Sequence, residues 1–240
     1  MNRTVFAVSL VATLCVVSPA SAQFAVPDTD IEAFLGLPAG SLDVLSATTP
    51  AGGTATSGSA LKTSFDVFAG DTLDVDVNFL TDESTPELEF NDFAFLSILV
   101  DGVLDVLADT NSSFVVSPSL FDQETGFFSY SHTFLTDGTV ELGLGVLDES
   151  DQVVDSGLLV DNIALNGTLI SNGGFESGDF TDFDTIGSAA IVDTGFGTGP
   201  ATGAFNALLS TEGVPEPSAI LSLGVVLCSC VACRNRYEAV

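Results

Sequence analysis

Phe93-Ala94-Phe95-Leu96-Ser97-Ile98-Leu99-Val100-Asp101-Gly102-Val103-Leu104-Asp105-Val106-Leu107 is the stretch that decides the fold. Two apolar runs, 93–100 and 103–107, flank Asp101-Gly102. Asp-Gly between such runs is the strongest short hairpin signal, because a tight two-residue turn needs positive φ at both central positions. The same grammar recurs outward along the chain. Residues 127–135 and 139–147 flank Asp137-Gly138, and residues 158–165 and 168–171 flank Asn166-Gly167. Upstream, residues 61–68 and 72–80 alternate apolar and polar, with Leu73, Val75, Val77 and Phe79 on one face. Ala69-Gly70-Asp71 turns between them. One short helix is expected: Thr29-x-x-Glu32 reads as a capping box before Ile31, Phe34 and Leu35, and Gly36 stops it. Residues 46–60 read as a Ser/Thr/Gly/Ala loop. No solenoid or propeller period occurs. Many short antiparallel strands predict an all-β chain, a single antiparallel β-sandwich of jelly-roll type.

Charge narrows the function classes. The 240 residues carry 4 basic side chains against 33 acidic ones, a formal net charge of −29. Phosphate backbones need many cationic contacts, so nucleic-acid binding is excluded. The hydrophobic fraction, 46%, is too high for a disordered acidic tail. Cys15, Cys228, Cys230 and Cys233 all lie near the termini, so no disulfide framework staples the middle. Residues 23–213 hold 31 of the acidic residues and Lys62 alone as a base. That much like charge opposes compaction unless cations screen it, and salt or bound Ca²⁺ would do so.

Both ends read as addresses. Residues 1–22 have the form of a signal peptide: Arg3 in the n-region, an apolar run over 5–17, and Ala20-Ser21-Ala22 as the cleavage site. At the other end, Val214-Pro215-Glu216-Pro217 precedes an uncharged apolar stretch over 218–233, then Arg234 and Arg236. An apolar helix followed by arginines behaves as a stop-transfer segment, with the arginines held on the cytoplasmic side. Its 16 residues make a short span, suited to transient anchoring in the inner membrane.

The order of Pro-Glu-Pro, apolar helix and basic residues resembles the PEP-CTERM sorting signal, over residues 214–240. The resemblance implies recognition by an exosortase-type processing enzyme that cuts near Pro215–Pro217. It also implies a Gram-negative bacterium that makes extracellular polysaccharide. The chain therefore divides into a signal peptide (1–22), an acidic β-sandwich (23–213) and a sorting signal with a transmembrane helix (214–240).

Within the body, Asn172-Gly173-Gly174-Phe175-Glu176-Ser177-Gly178-Asp179-Phe180 resembles the opening strand of carbohydrate-binding jelly rolls. Ser156-Gly157-Leu158-Leu159-Val160-Asp161-Asn162-Ile163 resembles their closing strand. Here the closing motif comes first. Two arrangements explain this: a circular permutation whose Asn166-Gly167 turn joins the old ends, or a complete domain at 28–165 followed by a truncated repeat. We take the permuted reading, because 172–211 is too short to bury a core of its own. Such jelly rolls often hold a structural Ca²⁺ between these strands, and the matching carboxylates are Glu176 and Asp161. The alternative is that the two carboxylates bond backbone amides in turns.

Sugar recognition in that family rests on flat aromatic platforms. The body has no Trp and one Tyr, so Tyr130 and Phe183, which follows Gly-Asp-Phe, are the candidate ligand-binding residues. The sole histidine, His132, shares a strand face with Phe128, Tyr130 and Phe134 and reads as structural. No nucleophile elbow, metal-binding His pair or phosphate loop occurs. Acidic clusters at Asp148-Glu149-x-Asp151, at 82–92 and at 179–184 read as loops. The expected protein is exported and non-catalytic, at the cell surface or in the extracellular matrix. A carbohydrate-binding module for extracellular polysaccharide is the alternative, and a glycan-active enzyme the third possibility.

Overall fold

The alternation of residues 72–80 is realised as inside and outside. Leu73, Val75, Val77 and Phe79 are wholly buried, while Asp74 and Asp76 are half-exposed. These positions come from a computed structural model that describes residues 24–211. The signal peptide, Val214–Pro217, Arg234, Arg236 and the expected transmembrane helix lie outside the described residues. Among the described residues, no helix is long and apolar enough to cross a membrane.

The elements run β1 (Val26–Pro27), α1 (Asp28–Leu35), α2 (Ser41–Ser46), β2 (Ala55–Val67), β3 (Thr72–Thr81), β4 (Phe93–Ile98) and β5 (Val103–Asp109). Then come β6 (Val115–Val116), β7 (Gln123–Glu124), β8 (Phe128–Thr133), β9 (Gly138–Glu149) and β10 (Ser156–Leu165). The chain continues through β11 (Thr168–Leu169), β12 (Asp184–Ile186), β13 (Ser188–Val192) and β14 (Asn206–Ser210). They form two antiparallel sheets. The first has the order β1-β2-β9-β4-β5, with β12 also beside β2. The second has the order β13-β14-β10-β3-β7-β6, with β11 on β10 and β8 on β3.

The inner faces meet in one apolar cluster. Leu61, Leu96, Leu142 and Leu144 come from the first sheet, and Val75, Phe79, Leu158, Val160 and Leu209 from the second. The outer face of the first sheet is covered too: Ile31, Leu35, Leu42 and Leu45 of the helices pack on Ala60, Phe93, Phe95 and Leu147. On the second sheet, Phe121 covers Leu80, Leu159 and Leu208. Strands covered on both faces need no polar side, which is why β4 and most of β9 and β10 are apolar without alternation.

Two expected hairpins form. β4 pairs with β5, with Ile98 opposite Val103, so the loop holds four residues and Gly102 takes φ 67. β10 pairs with β11, and Asn166 and Gly167 take φ 52 and 74, as a tight turn requires. The third does not form. β8 belongs to the second sheet and β9 to the first, so Asp137-Gly138 crosses between sheets. Its neighbour, the 68–71 turn, crosses alongside it. Gly70 N donates to Phe134 O, and Phe134 N to Asp71 O, both at 2.9 Å. Asp137 Oδ1 accepts from Ala69 N at 2.7 Å. β2 and β3 therefore run as one ribbon against β9 and β8, folded over from sheet to sheet.

The helix α1 forms and ends at Gly36 in the left-handed conformation, but the capping box does not. Glu32 is buried and instead accepts from Gly40 N and Leu42 N, each at 2.8 Å, fixing the start of α2, which sequence reading missed. The 46–60 loop is also shorter than expected, because residues 55–60 are the first half of β2. Small residues there are demanded by packing. Ser59 Oγ donates to Ser210 O at 2.6 Å and accepts from Ser188 N at 2.7 Å, tying the first sheet to the second.

Residues 172–211 are part of this body. They supply β12 to one sheet and β13 and β14 to the other, and place Phe175, Phe183, Ala207 and Leu209 in the shared core.

Candidate functional site

β12 pairs with β2 only over Ala60–Lys62. Beyond Lys62, among the described residues, no strand pairs with β2 on that side, and an open groove of about 490 Å³ lies there. It is lined by Lys62, Thr63, Ser64, Glu141, Asp182, Phe183 and Asp184. A smaller hollow of about 330 Å³ continues it past Phe65, Ile170 and Ser171. Thr63 Oγ1 donates to Asp182 O at 2.9 Å, closing the end of the strand.

Lys62 is the only Lys or Arg among the described residues, and it is already committed. Its Nζ donates to Glu141 Oε1 at 2.8 Å and to Phe34 O at 2.7 Å, and lies 4.8 Å from the Phe34 ring centroid. With Glu141 so balanced, Asp182 and Asp184 leave the groove net negative. It suits hydroxyl-rich neutral ligands or cations, and it repels anions.

Phe183 borders this groove but is only 7% exposed. Its ring packs on Phe175 at 4.9 Å between centroids, so it belongs mainly to the core. Tyr130 sits elsewhere, on β8 in the other sheet, and its hydroxyl donates to Asp105 Oδ2 at 3.2 Å. Tyr130 lines neither the groove nor the smaller hollow. His132 Nε2 bonds Asp101 Oδ2 at 2.8 Å, and its ring meets Phe134 edge-on at 5.1 Å. It ties β8 to the loop between β4 and β5, as a structural histidine does.

Asp161 and Glu176 are brought together, both close to Gly174. Asp161 lies on the outer face of β10, opposite Asp76 and just before a bulge, and is wholly buried there. Asp161 Oδ1 accepts from Asn162 N at 2.7 Å and Oδ2 from Thr202 N at 3.0 Å. Glu176 Oε1 accepts from Ala204 N at 2.8 Å and Phe205 N at 3.2 Å. Burial pushes the Asp161 carboxyl up to about 6, against the opposing pull of the Thr202 and Asn162 amides. The loop wraps Glu176 so tightly that a Cβ on Gly203, at φ +71, would stand 2.1 Å from Oε1. Three of the four carboxylate oxygens thus face N–H donors, which present positive hydrogen where a cation would sit. The donor set does not fit Ca²⁺. These carboxylates anchor the 201–205 loop onto β10, the amide-bonding alternative weighed from the sequence.

Sequence reading placed the acids of 82–92 and 148–151 in separate loops. Here several of them are buried together. Asp92 is 1% exposed, Asp148 3% and Glu149 wholly buried at the end of β9. Phe93 pairs with Leu147, so the antiparallel register sets Asp92 opposite Asp148. Asp92 accepts from Glu149 N at 3.0 Å and Ser156 Oγ at 2.7 Å. Asp148 Oδ2 accepts from Ser57 Oγ at 3.0 Å. Burial pushes Asp148 up to about 7, although the Thr211 and Ser57 hydroxyls favour its charged form. Asp92 is raised well above the ordinary carboxyl range, first by burial and then by Asp148. No sequence signal distinguished these acids from the other clusters, because strand register, which brings them together, depends on partners far along the chain. Among the described residues, no group of three or more His, Cys, Asp or Glu side chains is arranged to hold a metal.

The fold and these sites define a mostly-β protein of two antiparallel sheets with an acidic surface groove. No family model matches the chain, and no curated protein or solved structure matches it.

Proposed function

We propose that this is an exported, non-catalytic protein of the cell surface or extracellular matrix, delivered by its C-terminal sorting signal. One observation supports the reading: residues 24–211 by themselves supply two antiparallel sheets and the apolar clusters that pack on them. In this proposal residues 1–22 and 214–240 serve as a signal peptide and an exosortase-type signal with a transient inner-membrane helix. The body is a jelly roll in this proposal, supported by the ribbon of β2–β3 against β8–β9 that folds from sheet to sheet. A circular permutation accounts for its motif order. Both ends of the described chain lie against the same part of β2, as permuted ends must: Pro27 pairs with Ser57, and Ser210 bonds Ser59.

Fractionation of the producing cells tests this. The wild-type protein should be shortened at both ends and found beyond the inner membrane. Replacing Pro215, Glu216 and Pro217 by Ala should leave a longer form in the inner membrane. Wild-type protein in the cytosol would end the reading.

The groove favours a second reading, binding of extracellular polysaccharide. Its polar lining of Thr63, Ser64 and carboxylates, with Phe65 alongside, offers hydrogen-bond partners to sugar hydroxyls and some apolar surface. Under this reading the protein is retained on the host's own polysaccharide, and Phe65→Ala weakens retention several-fold. Equal retention of the wild type and Phe65→Ala would remove the groove from consideration.

A further inference from the structure

At one end of the molecule, carboxylates of the first sheet accept from hydroxyls of the second. Asp92, just before β4, accepts from Ser156 Oγ of β10 at 2.7 Å. Asp148, on β9, is bonded by the hydroxyl of Thr211, which follows β14. These two donor residues are locked to each other. Ser156 N donates to Thr211 Oγ1 at 3.0 Å, and Thr211 N donates to Ser156 O at 2.9 Å. The register that sets Asp92 opposite Asp148 also brings two like charges together, and burial removes the water that would screen them.

The charged groups around the pair add to the repulsion. Glu83, from the loop after β3, acts on Asp92, and Asp151 and Asp155, between β9 and β10, act on Asp148. Glu149, next along β9, takes its own donors from Gly53 N at 2.7 Å and the Thr49 hydroxyl. From β2 comes only the neutral Ser57 hydroxyl. No basic side chain among the described residues compensates, since Lys62 is bound to Glu141 and His132 to Asp101.

We propose that Asp92 and Asp148 form an acid-closed latch between the two sheets. While the pair holds its protons, the hydroxyls of Ser156 and Thr211 clasp it. When both carboxyls are charged, the clasp loosens and water enters this end. A proton relieves both the repulsion and the cost of a buried charge. Burial raises both carboxyls, Asp148 to about 7, so the change falls in the neutral range. Unfolded carboxyls lose their protons near pH 4, while the folded pair keeps them longer. The pair's contribution to stability is therefore full below about pH 4 and is lost as pH rises through about 7.

Thermal melts of the purified protein from pH 5 to pH 8, at fixed ionic strength, test the latch. Asp148→Asn mimics the neutral acid in size. Between pH 5 and pH 7 its Tm should gain on the wild type by roughly 3–5 °C per pH unit. Acids common to both chains, Asp161 among them, cancel in that difference. Asp30→Asn, exposed on α1, should track the wild type. Hydrogen exchange in the wild type gives a second readout. Protection of the Ser156 and Thr211 amides, corrected for intrinsic rate, should be at least about tenfold lower at pH 8 than at pH 5. A Tm difference between Asp148→Asn and wild type that stays constant with pH overturns the latch. So does equal protection of the two amides at both pH values, a result that holds even if Asp148→Asn fails to fold.

Discussion

Gly58→Ala should lower stability by about 3 kcal/mol, or roughly 6–12 °C in Tm, measured by thermal and denaturant unfolding. In most strands the change would help, because Ala restricts the unfolded chain and gains about 0.4–1 kcal/mol. Here the added Cβ would stand 2.0 Å from Val146 O and 3.0 Å from Leu147 Cα. Both are backbone atoms of β9, at the register shift between Ala55 and Gly58, so neither can swing aside as a side chain would. On its other edge Gly58 pairs with Val26, which blocks retreat in that direction. The clash therefore outweighs the entropic gain. Gly199→Ala, whose Cβ would meet only the Thr194 side chain at 3.5 Å, is the control and should change stability by less than about 1 kcal/mol. Equal stability of Gly58→Ala and wild type would mean that β2 and β9 do not approach as described.

How much of this was legible in the chain depends on how local each cause was. The strands and the Asp101-Gly102 and Asn166-Gly167 turns were readable because period two and positive-φ turn chemistry act over a few residues. Asp137-Gly138 carries the same dipeptide, yet its strands find partners elsewhere. β8 is taken by β3 and β9 by β2, and long-range pairing overrides the local signal. The same competition hid the start of β2. Residues 55–60 are small because Ser59 and Gly58 must let a second strand and a second sheet come close, and smallness in a sequence reads as loop. Glu32 looked like a cap by its spacing, but its carboxylate serves α2 eight and ten residues on. Among the site residues, the pairing of Asp161 with Glu176 was visible through the motif resemblance, and the amides of 202–205 that hold them were not. Tyr130 was chosen by residue type and Phe183 by its place after Gly-Asp-Phe, and neither says which sheet a side chain joins.

The second large effect concerns the end of the body. A chain stopped after Ser171 should fail to fold cooperatively. It would lack β14, leaving the β10 edge open from Gly157 to Val160. It would also lose Phe175, Phe183, Leu208 and Leu209 from the apolar clusters. At about 2 kcal/mol for each large buried side chain, these four alone represent about 8 kcal/mol. That is of the order of a whole domain's stability, about 5–15 kcal/mol. The loss of Thr211 N to Ser156 O, and of Ser59 to Ser210 O, would release the two sheets from each other at the same end.

The comparison that bears most directly on the central claim is cooperative unfolding, followed by near-UV circular dichroism, of residues 24–211 beside residues 24–171. One sharp transition for the longer chain and none for the shorter is the expected pair of results. A sharp transition in the shorter chain, at the same temperature as the longer, would contradict it, because 172–211 would then be an appendage to a domain already complete without it.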